Sequence, residues 1–280
     1  MLYGLYLSAQ GAAANQRELE VTANNMANAG TAGFKRDLAI AGHYRPHESN
    51  TPNGAAFGVG GSALPSLNDL PGAGLFQGPF DLGTALNRHT GGNGLAATAI
   101  DLAQGPLNET GGDLDVALTG PGFFQVESEN GAALSRDGRF TRGADGSLVT
   151  VDGGRPVLAE GGGAIVLPQG TSRIGITPDG TVSAGFEDGT NYALGKLSVV
   201  VPTDPRTLVK HGDGLLSSGG TQPADPRQTS VQQGFVEGSG VDSVKETMSM
   251  IAASRGFETN VNLVKLQDDT LGRLLAAARP

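Results

Sequence analysis

The first 35 residues read MLYGLYLSAQGAAANQRELEVTANNMANAGTAGFK, a continuous helical pattern that leads directly into a glycine-rich turn. Apolar and small residues recur there at alternating spacings of four and three, which is typical of a coiled-coil seam. The seam comprises Leu5, Ala9, Ala12, Gln16, Leu19, Ala23 and Met26. Because three of these residues are alanine and one is glutamine, the seam buries little apolar area, and we expect this helix to need neighbours.

A second apolar line runs along the same helix at heptad spacing. It comprises Leu7, Ala14 and Val21. A helix with two apolar faces can bind a partner within its own chain and another subunit at the same time, although burial inside one globular domain is the alternative interpretation. Asn28 and Gly30 suit the end of this helix, where a residue with positive φ commonly closes the last turn.

A second helical pattern starts after Gly240 and continues to the end of the sequence. Asp242 or Ser243 is the expected N-cap, and Glu246 lies in the first turn, where a carboxylate interacts favourably with the helix dipole. One apolar line comprises Val244, Met248 and Ile251. Another comprises Met250, Phe257, Val261, Val264, Leu271 and Leu275. The apolar stripe is therefore broad and drifts around the helix.

Between these helical patterns, short apolar runs alternate with turn dipeptides. The dipeptides are Asn130-Gly131, Asp137-Gly138, Asp145-Gly146, Asp152-Gly153, Asp179-Gly180, Asp188-Gly189 and Asp213-Gly214, all strong hairpin signals. The candidate strands are 114–118, 122–127, 140–142, 148–151, 164–167, 174–176, 181–184 and 196–201. This spacing predicts an antiparallel sandwich or barrel. Calcium loops are the weaker interpretation, because the aspartates follow no regular repeat.

The segment 37–93 is rich in Gly, Pro and Asn, so we expect an irregular connector. Its glycines match neither a P-loop nor a dinucleotide-binding fingerprint. The sequence thus predicts an α+β protein whose long N- and C-terminal helices pair as an antiparallel coiled coil around an inserted, mainly antiparallel β domain. The expected divisions are an N-terminal coiled-coil helix (1–30), a glycine-rich connector (31–93), the β domain (94–235) and a C-terminal coiled-coil helix (236–280).

Composition argues against several classes of function. The net charge is −9 without a basic cluster, so a nucleic-acid partner is not expected. There is no cysteine, and His43, His47, His89 and His211 belong to no metal-binding motif. No nucleophile elbow is present, so we expect no enzyme, no cofactor and no small-molecule substrate. We also expect no cleaved signal peptide, because no Lys or Arg precedes the N-terminal apolar run.

Several short motifs follow one another along the chain. They are Asn24-Asn25-Met26-Ala27-Asn28, Thr31-Ala32-Gly33-Phe34-Lys35, Leu114-Asp115-Val116-Ala117-Leu118, Gly122-Phe123-Phe124-Gln125-Val126, Ser135-Arg136-Asp137-Gly138, Glu237-Gly238-Ser239 and Val241-Asp242. Together they resemble the signature of the bacterial flagellar rod and hook proteins. The signature residues are Asn24, Asn25, Asn28, Gly33, Phe34, Lys35, Gly122, Phe123 and Phe124. The run Arg255-Gly256-Phe257-Glu258 looks more like proximal-rod than distal-rod members, whereas Gly240 departs from the family's usual asparagine.

The resemblance implies a structural subunit of the flagellar basal-body rod, a motility structure that crosses the periplasm. Such proteins leave the cell through the flagellar type III export apparatus and polymerise with themselves and with other rod subunits. The residues expected to assemble are Leu5, Ala12, Leu19, Met26, Leu7, Val21, Val244, Ile251, Phe257, Val264 and Leu271. The alternative is a secreted, surface-binding β protein that its terminal helices oligomerise. An enzyme acting on the cell wall is the weakest hypothesis, because no catalytic constellation is present.

Overall fold

Two long helices lie near the two ends of the chain. The computed structural model describes residues 2–43, 93–129 and 131–277. Helix α1 spans Leu2–Ala27 and helix α2 spans Ser243–Ala277. Asp242 is the N-cap of α2, since its Oδ1 accepts hydrogen bonds from the backbone N–H groups of Val244 and Lys245 at 3.1 and 3.3 Å. The predicted positions of both helices and the predicted cap are confirmed.

The strands lie between these helices, and most of them are short. They are β1 Asp37–His43, β2 Asn93–Ile100, β3 Leu107–Glu109, β4 Val116–Thr119, β5 Phe123–Ser128, β6 Gly131–Ser135, β7 Phe140–Arg142, β8 Leu148–Thr150, β9 Arg173–Ile176, β10 Thr181–Gly185, β11 Asn191–Lys196, β12 Val199–Pro202, β13 Val209–Lys210, β14 Leu216–Ser217, β15 Thr221–Pro223, β16 Ser230–Gln233 and β17 Phe235–Glu237.

The strands form one large sheet and several small ones. A six-stranded sheet has the order β13-β14-β6-β5-β12-β15, and a three-stranded sheet has the order β11-β10-β9. The remaining strands pair as β1-β2, β16-β4, β17-β3 and β7-β8. All pairings from β3 onward are antiparallel. The predicted α+β class and the mainly antiparallel β region are therefore confirmed.

The described residues divide into two compact units. The helical unit contains residues 2–17, 40–43, 93–97 and 253–277. The β unit contains residues 18–39, 98–129 and 131–252, so it includes the last part of α1 and the first part of α2.

The core of the β unit depends on the alternation of side chains along β5. Phe124 belongs to the main cluster, where its ring meets that of Phe140 edge to face with centroids 5.2 Å apart. The preceding residue, Phe123, points to the opposite side and joins a smaller cluster with Leu134 and Leu216. The two adjacent signature phenylalanines thus stabilise two different hydrophobic clusters.

The structure differs from the sequence prediction in the segment after α1. Residues 37–43 were expected to begin an irregular connector, but they form strand β1, which pairs with β2. Residues 44–92, including most of the predicted connector, lie outside the described residues. Residues 164–167 were expected to be a strand, but only Ala164 and Val166 make isolated bridges there. The composition of residues 37–93 indicated turns and therefore a connector. Strand β1 pairs with β2, which begins about 50 residues later, so no local signal indicated the pairing.

Most of the predicted hairpin turns are present. Asp145-Gly146, Asp179-Gly180, Asp188-Gly189 and Asp213-Gly214 each join two strands that pair with each other. In the first three turns, the aspartate side chain accepts a hydrogen bond from the hydroxyl of a Ser or Thr two residues later. By contrast, Asp137-Gly138 lies between β6 and β7, which belong to different sheets.

These turns predict a pH dependence. The hydroxyl of Thr190 donates to Asp188 Oδ1 at 2.5 Å and the Thr190 backbone N–H donates at 3.0 Å, which lowers the pKa of the Asp188 carboxyl. A lowered pKa means that this carboxylate stabilises the fold above its unfolded pKa of about 3.9, and that the contribution is lost as the pH falls through the folded pKa. We expect Thr190→Val to raise the pKa of Asp188 towards its usual value in an NMR titration. Thr247→Val, in α2, is the control, and an unchanged pKa in Thr190→Val would contradict the role of the hydroxyl.

Candidate functional site

The segment that follows α1 is fixed by its asparagines. The side chain of Asn28 donates to the backbone oxygen of Asn24 at 2.9 Å, and the same oxygen accepts from the backbone N–H of Asn28 at 3.2 Å. The side chain of Asn25 is buried and pairs with the backbone of Asp37 twice, donating to its oxygen at 2.9 Å and accepting from its N–H at 2.8 Å. Asn25 therefore holds the start of β1 against the last turn of α1.

Gly33 allows the chain to pass close to the backbone of the β unit. Its φ is +66°, and its N–H donates to the backbone oxygen of Glu237 at 2.9 Å. A Cβ at this position would lie 2.4 Å from the carbonyl carbon of Arg136, so only glycine fits.

Beside Gly33 lies a buried ionic group that we call the root cluster, formed by Lys35, Arg136 and Glu237. Glu237 Oε1 accepts from Lys35 Nζ at 2.7 Å, and its Oε2 accepts from Arg136 Nη1 at 2.9 Å. The three side chains are only 1–3% exposed. One carboxylate thus joins the segment after α1, the end of β6 and the end of β17.

The root cluster buries two cations and one anion. Burial lowers the pKa values of both Lys35 and Arg136, and in each case the bond to Glu237 opposes the shift. Backbone oxygens contribute further, since Lys35 Nζ also donates to Ala103 at 2.8 Å and Arg136 Nη2 donates to Gly120 at 2.5 Å. The cluster is stable only while its single carboxylate stays in place.

Two further contacts hold the same segment. Lys210 lies over the ring of Phe34 with its Nζ 4.2 Å from the centroid, and it pairs with Asp37 Oδ2 at 2.9 Å. Arg36 Nη1 lies 3.4 Å from the carboxylate of Glu246, which is buried in the first turn of α2. Glu246 was expected to act only on the helix dipole, but the structure gives it an ion pair as well.

Lys35 was predicted as a signature residue, but its partners were not. Arg136 and Glu237 were recognised only as parts of motifs, and Lys210 was not recognised. One signal in the sequence could have indicated Glu237, which is a single charge beside two apolar residues in Phe235-Val236-Glu237. If such a strand is buried, its charge must be paired.

The predicted assembly residues of α1 do not form its most buried line. The buried side chains on this helix are the polar residues Ser8, Thr22 and Asn25. The predicted residues Leu5, Ala12, Leu19, Met26, Leu7 and Val21 are half-buried. The other members of the predicted seam, Ala9, Gln16 and Ala23, are exposed. The two predicted apolar lines therefore lie on either side of a buried polar line, which was not predicted.

The predicted assembly residues of α2 fall into two groups. Phe257, Val264 and Leu271 are half-buried, whereas Val244 and Ile251 are 66% and 49% exposed. Met248 lies between the latter two and is 67% exposed. Glu246 and Ala253 are buried on the opposite side of this part of the helix. The start of α2 thus presents a line of large apolar side chains to solvent.

The chain matches three family models. The flagella basal body rod protein model matches residues 5–35, the flagellar hook protein FlgE/F/G D1 domain model matches 117–184, and the flagellar basal body rod FlgEFG protein C-terminal model matches 232–277. The chain is also 33% identical to the flagellar basal-body rod protein FlgF of Caulobacter vibrioides, over 91% of this chain and 88% of that protein. The chain belongs to the flagellar basal-body rod family.

Rod proteins of both types are similar to this chain. FlgG of Agrobacterium fabrum is 33% identical over 95% of each chain, and FlgG of Bacillus subtilis is 32% identical over the full length of each. The protein is therefore a rod-family protein of FlgF/FlgG type, a structural component of the flagellar basal body and not an enzyme.

The root cluster connects the three parts of the chain that match the rod-family models. Lys35 lies in the first matched segment, Arg136 in the second and Glu237 in the third. Within the described ranges, no three His, Asp or Glu side chains form a group that could hold a metal ion. No described helix has the length and hydropathy required to span a membrane.

Proposed function

We propose that this rod-family protein polymerises through α1 and α2 into the axial structure of the flagellum. The two helices pair as an antiparallel coiled coil, and further subunits cover the apolar lines that remain exposed. The exposed line Val244, Met248 and Ile251 is the observation that carries this proposal. A line of large apolar side chains on one helix face is typical of an interface with another protein.

The assembly segments of this proposal are residues 1–30 and 236–280, with the connector 31–93 and the β domain 94–235 between them. The root cluster holds the backbone just after α1 to the residues that precede α2. The proposed partners are other copies of this chain and other rod subunits.

We also propose that the flagellar type III export apparatus carries the chain to the periplasm. A chain without cysteine cannot be trapped by disulfides in an oxidising compartment. The motif Arg255-Gly256-Phe257-Glu258 supports a position in the proximal rod. Electron microscopy of purified basal bodies that contain a labelled subunit would test the position.

A substitution at Met248 tests the proposed interface. Met248→Asp should leave the stability of the free chain within about 0.5 kcal/mol, because the side chain is exposed there. In the polymer the same aspartate would be buried without a partner, so we expect the variant to be exported but absent from purified basal bodies. Ser249→Asp, at the adjacent exposed residue, is the matched control and should be incorporated. Normal motility and incorporation of Met248→Asp would contradict the proposal.

A further inference from the structure

Within the helical unit, α1 approaches α2 at glycines that face carboxamide side chains. A Cβ added to Gly4 would lie 2.8 Å from Gln267 Nε2, and one added to Gly11 would lie 2.9 Å from Asn260 Nδ2. At the third contact the roles are reversed, since a Cβ on Gly256 would lie 2.6 Å from Asn15 Nδ2. The two residue numbers add to 271 in every pair, so the three contacts share one antiparallel register.

The contact between Asn15 and Gly256 distinguishes helix registers that the other two contacts do not distinguish. Gly4 and Gly11 are seven residues apart, and so are Asn260 and Gln267. A slip of one heptad would therefore still place one glycine opposite a carboxamide. In such a slip, however, Asn15 would face Leu263 or Ser249 instead of Gly256. The third pair is thus the one that distinguishes the native register from its heptad neighbours.

The carboxamides are poor choices for stability alone. Gln267 Oε1 is buried and has no hydrogen-bond partner in the described part of the chain, which is unfavourable. Apolar side chains would return more free energy at these positions, but they would pack nearly as well after a slip. A polar side chain in a helix interface is known to fix the register of coiled coils at a cost in stability.

We propose that these three glycine–carboxamide pairs determine the register of α1 against α2. They are positioning residues for the assembly described above, and the inference rests on that proposed function. A single register places the half-buried apolar lines of α1 at fixed heights relative to those of α2. Every subunit then presents the same pattern of apolar residues to its neighbours.

Disulfide formation measures this register directly, because the chain contains no cysteine of its own. The variant Ser8→Cys with Leu263→Cys, whose residue numbers also add to 271, reports the native register without altering any of the three pairs. The variant Ser8→Cys with Thr270→Cys reports a slip of one heptad. Both are to be oxidised in purified basal bodies and analysed by gel electrophoresis. We expect a disulfide within one chain for the first variant and little for the second. A first variant that forms disulfides only between chains, or a second that forms them equally well, would overturn the inference.

Substitutions at Gly11 supply the second arm of the experiment. Gly11→Leu, added to the native-register reporter, should lower the yield of its disulfide by about tenfold, because the larger side chain meets Asn260. Exchanging the pair, as Gly11→Asn with Asn260→Gly, reproduces the arrangement at Asn15 and Gly256 and should restore the yield. An unchanged yield in Gly11→Leu, or no recovery in the exchanged pair, would overturn the inference and leave the proposed function intact. Absence of the wild-type chain from basal bodies would instead refute the proposed function and the inference with it.

Discussion

Replacement of Glu237 by alanine is expected to lower the free energy of unfolding of the β unit by about 3–5 kcal/mol, because it leaves two buried cations without their carboxylate. Lys35 then has one way to relieve the penalty, which is to lose its proton. Its pKa, already lowered by burial, should fall further, so the Glu237→Ala chain should regain stability as the pH rises towards the unfolded pKa of lysine. Urea denaturation of the full chain, followed by circular dichroism at neutral and alkaline pH, measures both effects.

The control for this variant is an ion pair with the same charges at the surface. Glu160 Oε2 lies 2.9 Å from Lys196 Nζ, but the two side chains are 57% and 39% exposed. Solvent screens such a pair, so Glu160→Ala should cost less than about 1 kcal/mol at any pH. Equal losses for Glu237→Ala and Glu160→Ala would show that burial does not make the root cluster important.

Replacement of Gly33 by alanine is expected to cost about 2–5 kcal/mol, the second large effect. The left-handed backbone conformation accounts for about 1–2 kcal/mol of this loss. The remainder comes from overpacking, because the new Cβ would lie 2.4 Å from a backbone atom of Arg136, which cannot move as a flexible side chain can. Thermal unfolding and the yield of folded protein are the measurements.

Gly30, three residues earlier in the same turn, is the matched control. A Cβ at Gly30 meets no atom within 4 Å, and this glycine does not have a positive φ. Gly30→Ala should therefore change the stability by no more than about 0.5 kcal/mol. If Gly33→Ala were equally mild, the close approach of this turn to Arg136 would not be a requirement of the fold.

Both predictions concern residues that act on the helices from a distance. Neither Glu237 nor Gly33 lies on α1 or α2, yet the carboxylate and backbone oxygen of Glu237 hold the segment that leaves α1. The backbone N–H of Gly240 adds a hydrogen bond to Phe34 at 2.8 Å, just before α2 begins. A subunit that loses this support can keep both helices, but the backbone just after α1 and just before α2 is no longer held in place. We therefore expect such variants to assemble poorly even where the helices themselves are unchanged.

Local signals in the sequence predicted the ends of the helices and most of the turns. The N-cap Asp242 and the turns at Asp145, Asp179 and Asp188 are confirmed, because each depends on hydrogen bonds between residues two or three apart. The periodicity of α1 was less informative. It indicated a helix with apolar lines, but the predicted seam contains the exposed residues Ala9, Gln16 and Ala23. The closest contact of α1 with α2 is made by glycines and carboxamides, and these residues give no hydrophobic signal in the sequence.

The amino-acid sequence thus specified the two helices, most of the hairpin turns, the fold class and the family, because helical periodicity, caps and turn residues act over a few neighbouring positions. The choice of partners was made only in the folded chain. Lys35 and Glu237 are 202 residues apart, and nothing near either of them indicates the other. Burial forces such charges to pair, and which charges meet is decided by the arrangement of strands around them.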